Sequence, residues 1–113
     1  MTNEYGTKLD PNGYAPSILQ DELGACCICG RRTRKLDRHE VFYGAYRKKS
    51  KALGLWVEVC HIEHHIFGPD AVHNNRERDL VLKRQAQRKA MEVFEWTIDE
   101  FITRFGRNYL EEV

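Results

Sequence analysis

All four cysteines and all five histidines of the 113-residue chain fall between Cys26 and His73. Cys26, Cys27 and Cys29 crowd into four positions, and only Cys60 stands apart. Two disulfides fit this spacing poorly, because at most one of the first three thiols could bridge to Cys60. Cys26-x-x-Cys29 followed by Gly30 is the spacing of a zinc knuckle, with the glycine permitting the tight turn. A redox Cys-x-x-Cys normally opens a helix after a strand. Here Arg31-Arg32-Thr33-Arg34-Lys35 follows, which reads as a turn.

The elements that must position these ligands can be placed from pattern. Residues 1–16, with Gly6, Pro11, Gly13 and Pro16, read as an extended N-terminal arm, pinned through Tyr5 and Tyr14. Ser17 and Gln20 have capping-box spacing and predict a short helical turn to Leu23. Between Leu36 and Tyr46, the residues Val41, Phe42 and Tyr43 favour a first strand, with Gly44 ending or bending it. A helical turn is expected over Ser50 to Leu53, and Leu55 to Val59 is the clearest strand, delivering Cys60 at its end. The absence of glycine and proline from Asn75 to Trp96 predicts one long helix. Thr97-x-x-Glu100 opens a short last helix that Gly106 ends. The fold class expected is α+β, with residues 17–113 as a single domain behind the arm.

Antiparallel pairing of the two strands would bring Cys60 to the knuckle. Cys26, Cys29, Cys60 and His64 then make a closed tetrahedral site for a structural Zn²⁺, stapling a small core. His61 or Cys27 could substitute in that set. His39, His65 and His73 remain, with Glu40 alongside. Two or three protein ligands with open positions are what a catalytic divalent ion needs.

The near-zero formal charge of +1 hides a strong asymmetry. Residues 31 to 51 carry +7 and the remainder −6. A basic stretch between two ligand sets points to nucleic-acid phosphates, with Arg47, Lys48, Lys49 and Lys51 as DNA contacts. No apolar run approaches the roughly 20 residues of a membrane span. The N-terminus shows no secretory signal, so a cytoplasmic protein is expected.

The order Cys-x-x-Cys-Gly, His39-Glu40-Val41-Phe42-Tyr43-Gly44, a strand ending in Cys60, then His64-His65, resembles the HNH endonucleases. Arg47-Lys48-Lys49-Ser50, Gly54-Leu55-Trp56-Val57, Ala71-Val72-His73 and Phe105-Gly106-Arg107-Asn108-Tyr109-Leu110 resemble short HNH proteins of phage and prophage genomes. The likeness covers roughly residues 17 to 110. It implies a small ββα-metal core with a zinc knuckle, followed by the long and short C-terminal helices. It further implies a metal-dependent endonuclease that nicks or cuts DNA in a bacterial host cell, with phage packaging or recombination proteins as partners. The ion would be Mg²⁺, Mn²⁺, Ni²⁺ or Zn²⁺, held by His65, His73 and Glu40, and Asn74 or Asn75 would orient the base-bearing segment.

The first-strand pair departs from the family's pattern. There, Asp-His or His-His supplies a ligand followed by a base. Strict alignment makes His39 a ligand and Glu40 the base. Imidazole chemistry favours His39 as base and Glu40 as ligand or orienting group. The competing function is a non-catalytic zinc-binding module that binds nucleic acid.

Overall fold

The structure is a computed structural model that describes residues 1–32, 35–61, 65, 72–73 and 75–110. Its elements run in the order β1 (Leu36–Glu40), a 3-10 turn (Gly44–Tyr46), α1 (Arg47–Ala52), β2 (Trp56–Cys60), α2 (Arg76–Phe94) and α3 (Ile98–Phe105). β1 and β2 form a two-stranded antiparallel sheet. With three α-helices beside it, the fold is of the expected α+β class. No described helix is long and apolar enough to cross a membrane.

The register pairs Leu36 with Cys60, Asp37 with Val59, Arg38 with Glu58, His39 with Val57 and Glu40 with Trp56. β1 is thus the polar segment Leu-Asp-Arg-His-Glu, and it stops before the β-branched and aromatic residues that sequence pattern favoured. Val41 and Phe42 fill the core instead, while Tyr43 stays exposed. Val41 keeps one more bond to the opposite strand (N–H to Leu55 O, 3.0 Å) and is fully buried. Phe42 turns into a cluster with Phe105 (ring centroids 4.5 Å apart) and Phe101 (5.5 Å). Each such fully buried side chain contributes about 1.5–3 kcal/mol relative to exposure. A strand of weak intrinsic propensity is held here by pairing with Trp56–Cys60, whose apolar side chains are buried.

The connection between the strands is braced from inside. The buried Ser50 hydroxyl donates to Leu55 O at 2.6 Å and accepts the Phe42 N–H at 3.2 Å. Gly54 adopts φ +75, and a Cβ there would collide with the Pro16 carbonyl oxygen. Only glycine fits so close to the arm. The expected helical turn at Ser50 starts earlier, at Arg47, as α1.

The arm lies against the body. Asn3 Nδ2 donates to Ala52 O at 2.8 Å, and the Tyr5 ring stacks on Phe94 at 4.6 Å. Tyr14 packs edge-on to Trp56. The short helix expected over Ser17 to Leu23 does not form. Ser17 Oγ does accept the Gln20 N–H, but it donates to Trp56 O at 2.6 Å, and the Gln20 amide bridges Ala25 O and Glu58 N–H. Both capping-box side chains are spent on tertiary contacts.

α2 begins at the predicted place, with the Asn75 side chain capping it by accepting the Arg78 N–H at 3.0 Å. Leu82, Ala86 and Ala90 carry its buried stripe. Gln87, also buried, is fully used: it donates to Asn108 Oδ1 and accepts the Tyr109 N–H, both at 2.8 Å. That pair ties residues after α3 back to α2. Thr97 caps α3 through the Glu100 N–H, and Gly106 at φ 85 ends it.

Candidate metal centres

The knuckle is held along the outer edge of β2. Cys27 N–H donates to Glu58 O at 2.8 Å, and Gly24 N–H to Glu58 Oε1 at 2.6 Å. Gly30, at φ +75, closes the turn with its N–H on Cys26 O. This places Cys26 and Cys29 beside Cys60 at the end of β2, and the three sulfurs form one group. The thiols are free, and Cys29 Sγ lies 3.6 Å from Cys60 Sγ. Two sulfurs on one tetrahedral zinc stand roughly 3.8 Å apart, given Zn–S bonds of about 2.3 Å. The spacing therefore fits a shared ion. Burial alone would push the Cys26 thiol up. Backbone N–H groups of Cys29, Cys60 and Ile28 aimed at its sulfur outweigh that and bring it down to about 7. A sulfur so surrounded by donors favours the thiolate that a metal requires. Cys27 is outside the group. His64, the fourth ligand expected, lies outside the described residues.

The second group consists of His39, His65 and His73. They come from β1 and from two positions in the connection between β2 and α2. Their rings meet edge to face or tilted, with centroids 4.7–5.4 Å apart. His65 Nε2 and His73 Nε2 are 3.1 Å apart. On its other side, His65 Nδ1 lies 2.7 Å from Asp37 Oδ2. An ionised carboxylate only accepts, so Nδ1 carries the proton and Nε2 keeps its lone pair for the cluster.

His39 is 1% exposed, and its Nε2 has no hydrogen-bond partner among the described residues. An orphaned, buried imidazole nitrogen beside two others is the arrangement a bound cation would satisfy. Burial, and then the neighbouring charges of His73, His65 and Lys83, lower its pKa to about 3. The ring is held neutral, as a ligand must be.

Strand alternation puts Asp37 and His39 on one face of β1 and Arg38 and Glu40 on the other. Glu40 consequently lies outside the three-histidine group. It is buried, with Oε1 2.5 Å from Arg47 Nε and Oε2 accepting the Tyr14 hydroxyl at 3.1 Å. It nevertheless lines the same cavity of about 390 Å³ as His39, His65, His73, Tyr43 and Arg47. Of the two assignments that the sequence left open for the pair, the grouping of His39 with His65 and His73 matches the one with His39 as ligand.

Arg47 keeps 63% of its side chain exposed at this cavity, and Lys48 is exposed on the next position of α1. Lys49 donates to Arg104 O at 3.0 Å, and Lys51 sits over the Tyr14 ring at 4.6 Å. Asn75 is occupied as the cap of α2, and Asn74 lies outside the described residues.

Three neighbours of the cavity were not singled out from sequence. Asp37 accepts from two histidines, His61 and His65. Its signal was the two-residue spacing to His39, which on a strand means a shared face. Tyr43 lies 5.2 Å from His73 and carries Lys83 over its ring at 4.2 Å. Lys83 is paired at 2.7 Å with Asp79, one turn back on α2. Comparison with protein-family profiles, curated proteins and solved structures finds no match for the chain.

Proposed function

We propose that the chain is a metal-dependent endonuclease of HNH type, hydrolysing phosphodiester bonds of DNA. The observation that carries this reading is the convergence of His39, His65 and His73 at a cavity rimmed by Arg47. Three imidazoles, one from β1 and two from the β2–α2 connection, leave coordination positions open, which a catalytic ion needs and a purely structural one does not. The resemblance of the His39 and Cys60-His64-His65 segments to that family supports the same reading.

A divalent cation held there would offset the negative charge that develops on the phosphorus oxygens and the departing 3′ oxygen. Arg47 binds the scissile phosphate from the rim and orients it for in-line attack. Glu40, fixed by Tyr14 and Arg47, accepts the proton of the attacking water. The water oxygen bonds to phosphorus, the bond to the 3′ oxygen breaks, and the leaving oxygen takes a proton from solvent. His39 is a ligand in this assignment, as strict alignment of the His39-Glu40 pair requires. The Cys26, Cys29 and Cys60 cluster, completed by His64, holds a structural Zn²⁺.

Plasmid nicking with Mg²⁺, Mn²⁺ or Ni²⁺ tests the proposal. The native chain should convert supercoiled to open-circular DNA. His73→Ala and Glu40→Gln should each lose about 100-fold or more while still binding DNA. A folded, zinc-loaded protein that never cleaves would leave the non-catalytic nucleic-acid-binding module as the correct reading.

A further inference from the structure

His61 belongs to neither metal group, yet it stands between them. It follows Cys60 directly, and its N–H donates to Lys35 O at 3.1 Å, extending the β1–β2 pairing by one position. From there its Nδ1 reaches Asp37 Oδ2 at 2.5 Å, the same oxygen that holds His65 Nδ1 at 2.7 Å. One carboxylate oxygen therefore receives two imidazoles, one attached to the last cysteine of the first cluster and one belonging to the second. The Asp37 carboxyl is about a third exposed and the His61 ring nearly half exposed. Burial would raise Asp37, but the two imidazole donors hold its carboxyl below the ordinary range.

We infer that His61 and Asp37 form a positioning brace running from the cysteine site to the histidine site, and that it sets the orientation of His65 for its metal. Both clusters binding metal is the reading proposed above, and the brace depends on it. The physical reason is geometric. Without His61, Asp37 keeps a single partner among the described residues, His65, and can swing toward solvent. His65 then loses both its fixed tautomer and its fixed ring angle. Outer partners of this kind typically change metal affinity 10- to 100-fold. Cys60 gives the brace its fixed end, since a metal on its sulfur immobilises the backbone from which His61 projects.

The test is Ni²⁺ binding, followed by calorimetry on the full chain with zinc already on its cysteines. His61→Ala should weaken Ni²⁺ by about tenfold or more. His61→Asn places an amide nitrogen where Nδ1 stood, and should remain within about threefold of native. Asp37→Asn keeps the side chain's size and should weaken Ni²⁺ about as much as His61→Ala. Retained zinc in each variant shows that the fold is kept. Unchanged affinity in zinc-loaded His61→Ala would overturn the brace. Equal weakening in His61→Ala and His61→Asn would also overturn it, because the imidazole would then act by something other than its Nδ1 donor. If the zinc-loaded native chain binds no Ni²⁺ at all, the histidine metal site itself is wrong and the brace falls with it.

Discussion

His65 Nε2 and His73 Nε2 stand 3.1 Å apart although eight positions separate the residues in the chain. Two nitrogens bound to one ion at about 2.05 Å lie roughly 2.9 to 3.4 Å apart, depending on coordination geometry. The observed separation falls inside that interval. Since Asp37 accepts a hydrogen bond from His65 Nδ1–H, His65 Nε2 faces His73 with its lone pair.

Metal affinity at the histidines should therefore be shared among three ligands. His39→Ala, His65→Ala and His73→Ala are each expected to weaken Ni²⁺ or Mn²⁺ by at least tenfold in the zinc-loaded protein. Cys27→Ala, outside both groups, should leave it unchanged. Calorimetric titration of the four variants checks this, and a full-affinity His39→Ala would remove His39 from the ligand set.

The buried His39 also makes stability depend on pH. Its pKa of about 3 in the folded chain lies below the ordinary 6.5. Between these values the unfolded chain binds more protons, so stability falls as pH falls through that window. At pH 5 the loss relative to pH 7.5 is about 2 kcal/mol. Lowered by burial and then by the His65 charge, His73 acts with the same sign. Urea unfolding with the histidine site metal-free should show this slope in the native protein and a flatter one in His39→Gln.

The cysteine cluster should carry folding energy. The knuckle is joined to the body by the Cys27 N–H bond to Glu58 O, the Gly24 N–H bond to Glu58 Oε1, and a small cluster of Cys26, Val57, Val59 and Cys60 flanked by Leu19, Ile28 and Leu36. Zinc removal by a strong chelator, or Cys29→Ser, should lower the unfolding midpoint sharply and release residues 24–30 to fast amide exchange. Protection of that segment unchanged after zinc removal would refute a structural role for the ion.

The two sites were legible to different depths. Cys-x-x-Cys and the valine-rich strand before Cys60 have strong local patterns, and their meeting follows once the strands pair antiparallel. β1 was harder. Its propensity signal sits in Val41-Phe42-Tyr43, of which the first two are core, whereas the paired segment is Leu36–Glu40, polar and held by its neighbour. Weighting the Leu36 to Tyr46 region by its β-branched and aromatic residues left unread the alternation that sets Asp37 with His39 and turns Glu40 to the opposite face. The capping-box pattern at Ser17 misled for a related reason, since its side chains bond to Trp56 and Ala25, far off in sequence or beyond the turn. The partners of Gln87 were not readable at all, because a buried polar side chain is specified by what the rest of the fold brings to it.

One local conflict in the chain offers a gain in stability. Glu95 ends α2 in the left-handed conformation, φ 57 and ψ 42, and is the one non-glycine with positive φ among the described residues. Its side chain is exposed, so the backbone strain brings no packing in return. Glu95→Gly should stabilise by about 0.5–1 kcal/mol, the relief of strain exceeding the added freedom of the unfolded chain. Denaturant midpoints check the direction. The reverse holds at Gly54, where Ala would meet the Pro16 carbonyl and should cost about 2 kcal/mol or more.

Under the proposed function, DNA contacts should not be equal along α1, although its four basic residues look alike in sequence. Arg47 presents its guanidinium at the cavity from a fixed base, its Nε held by the buried Glu40. Lys49 already donates to Arg104 O, and Lys51 covers the Tyr14 ring. Releasing those two from existing contacts diminishes what they gain from a phosphate. Arg47→Ala should therefore weaken duplex binding more than Lys51→Ala and lower the slope of log affinity against log salt by about 0.9. Arg47→Lys should restore the salt slope but only part of the cleavage rate, because an ammonium cannot bond Glu40 and a phosphate in the same planar fork. Binding isotherms at several salt concentrations, paired with nicking rates, separate the electrostatic contribution from the orienting one. Equal effects at Arg47 and Lys51 would place the phosphate path along the outside of α1 and away from the histidine cavity.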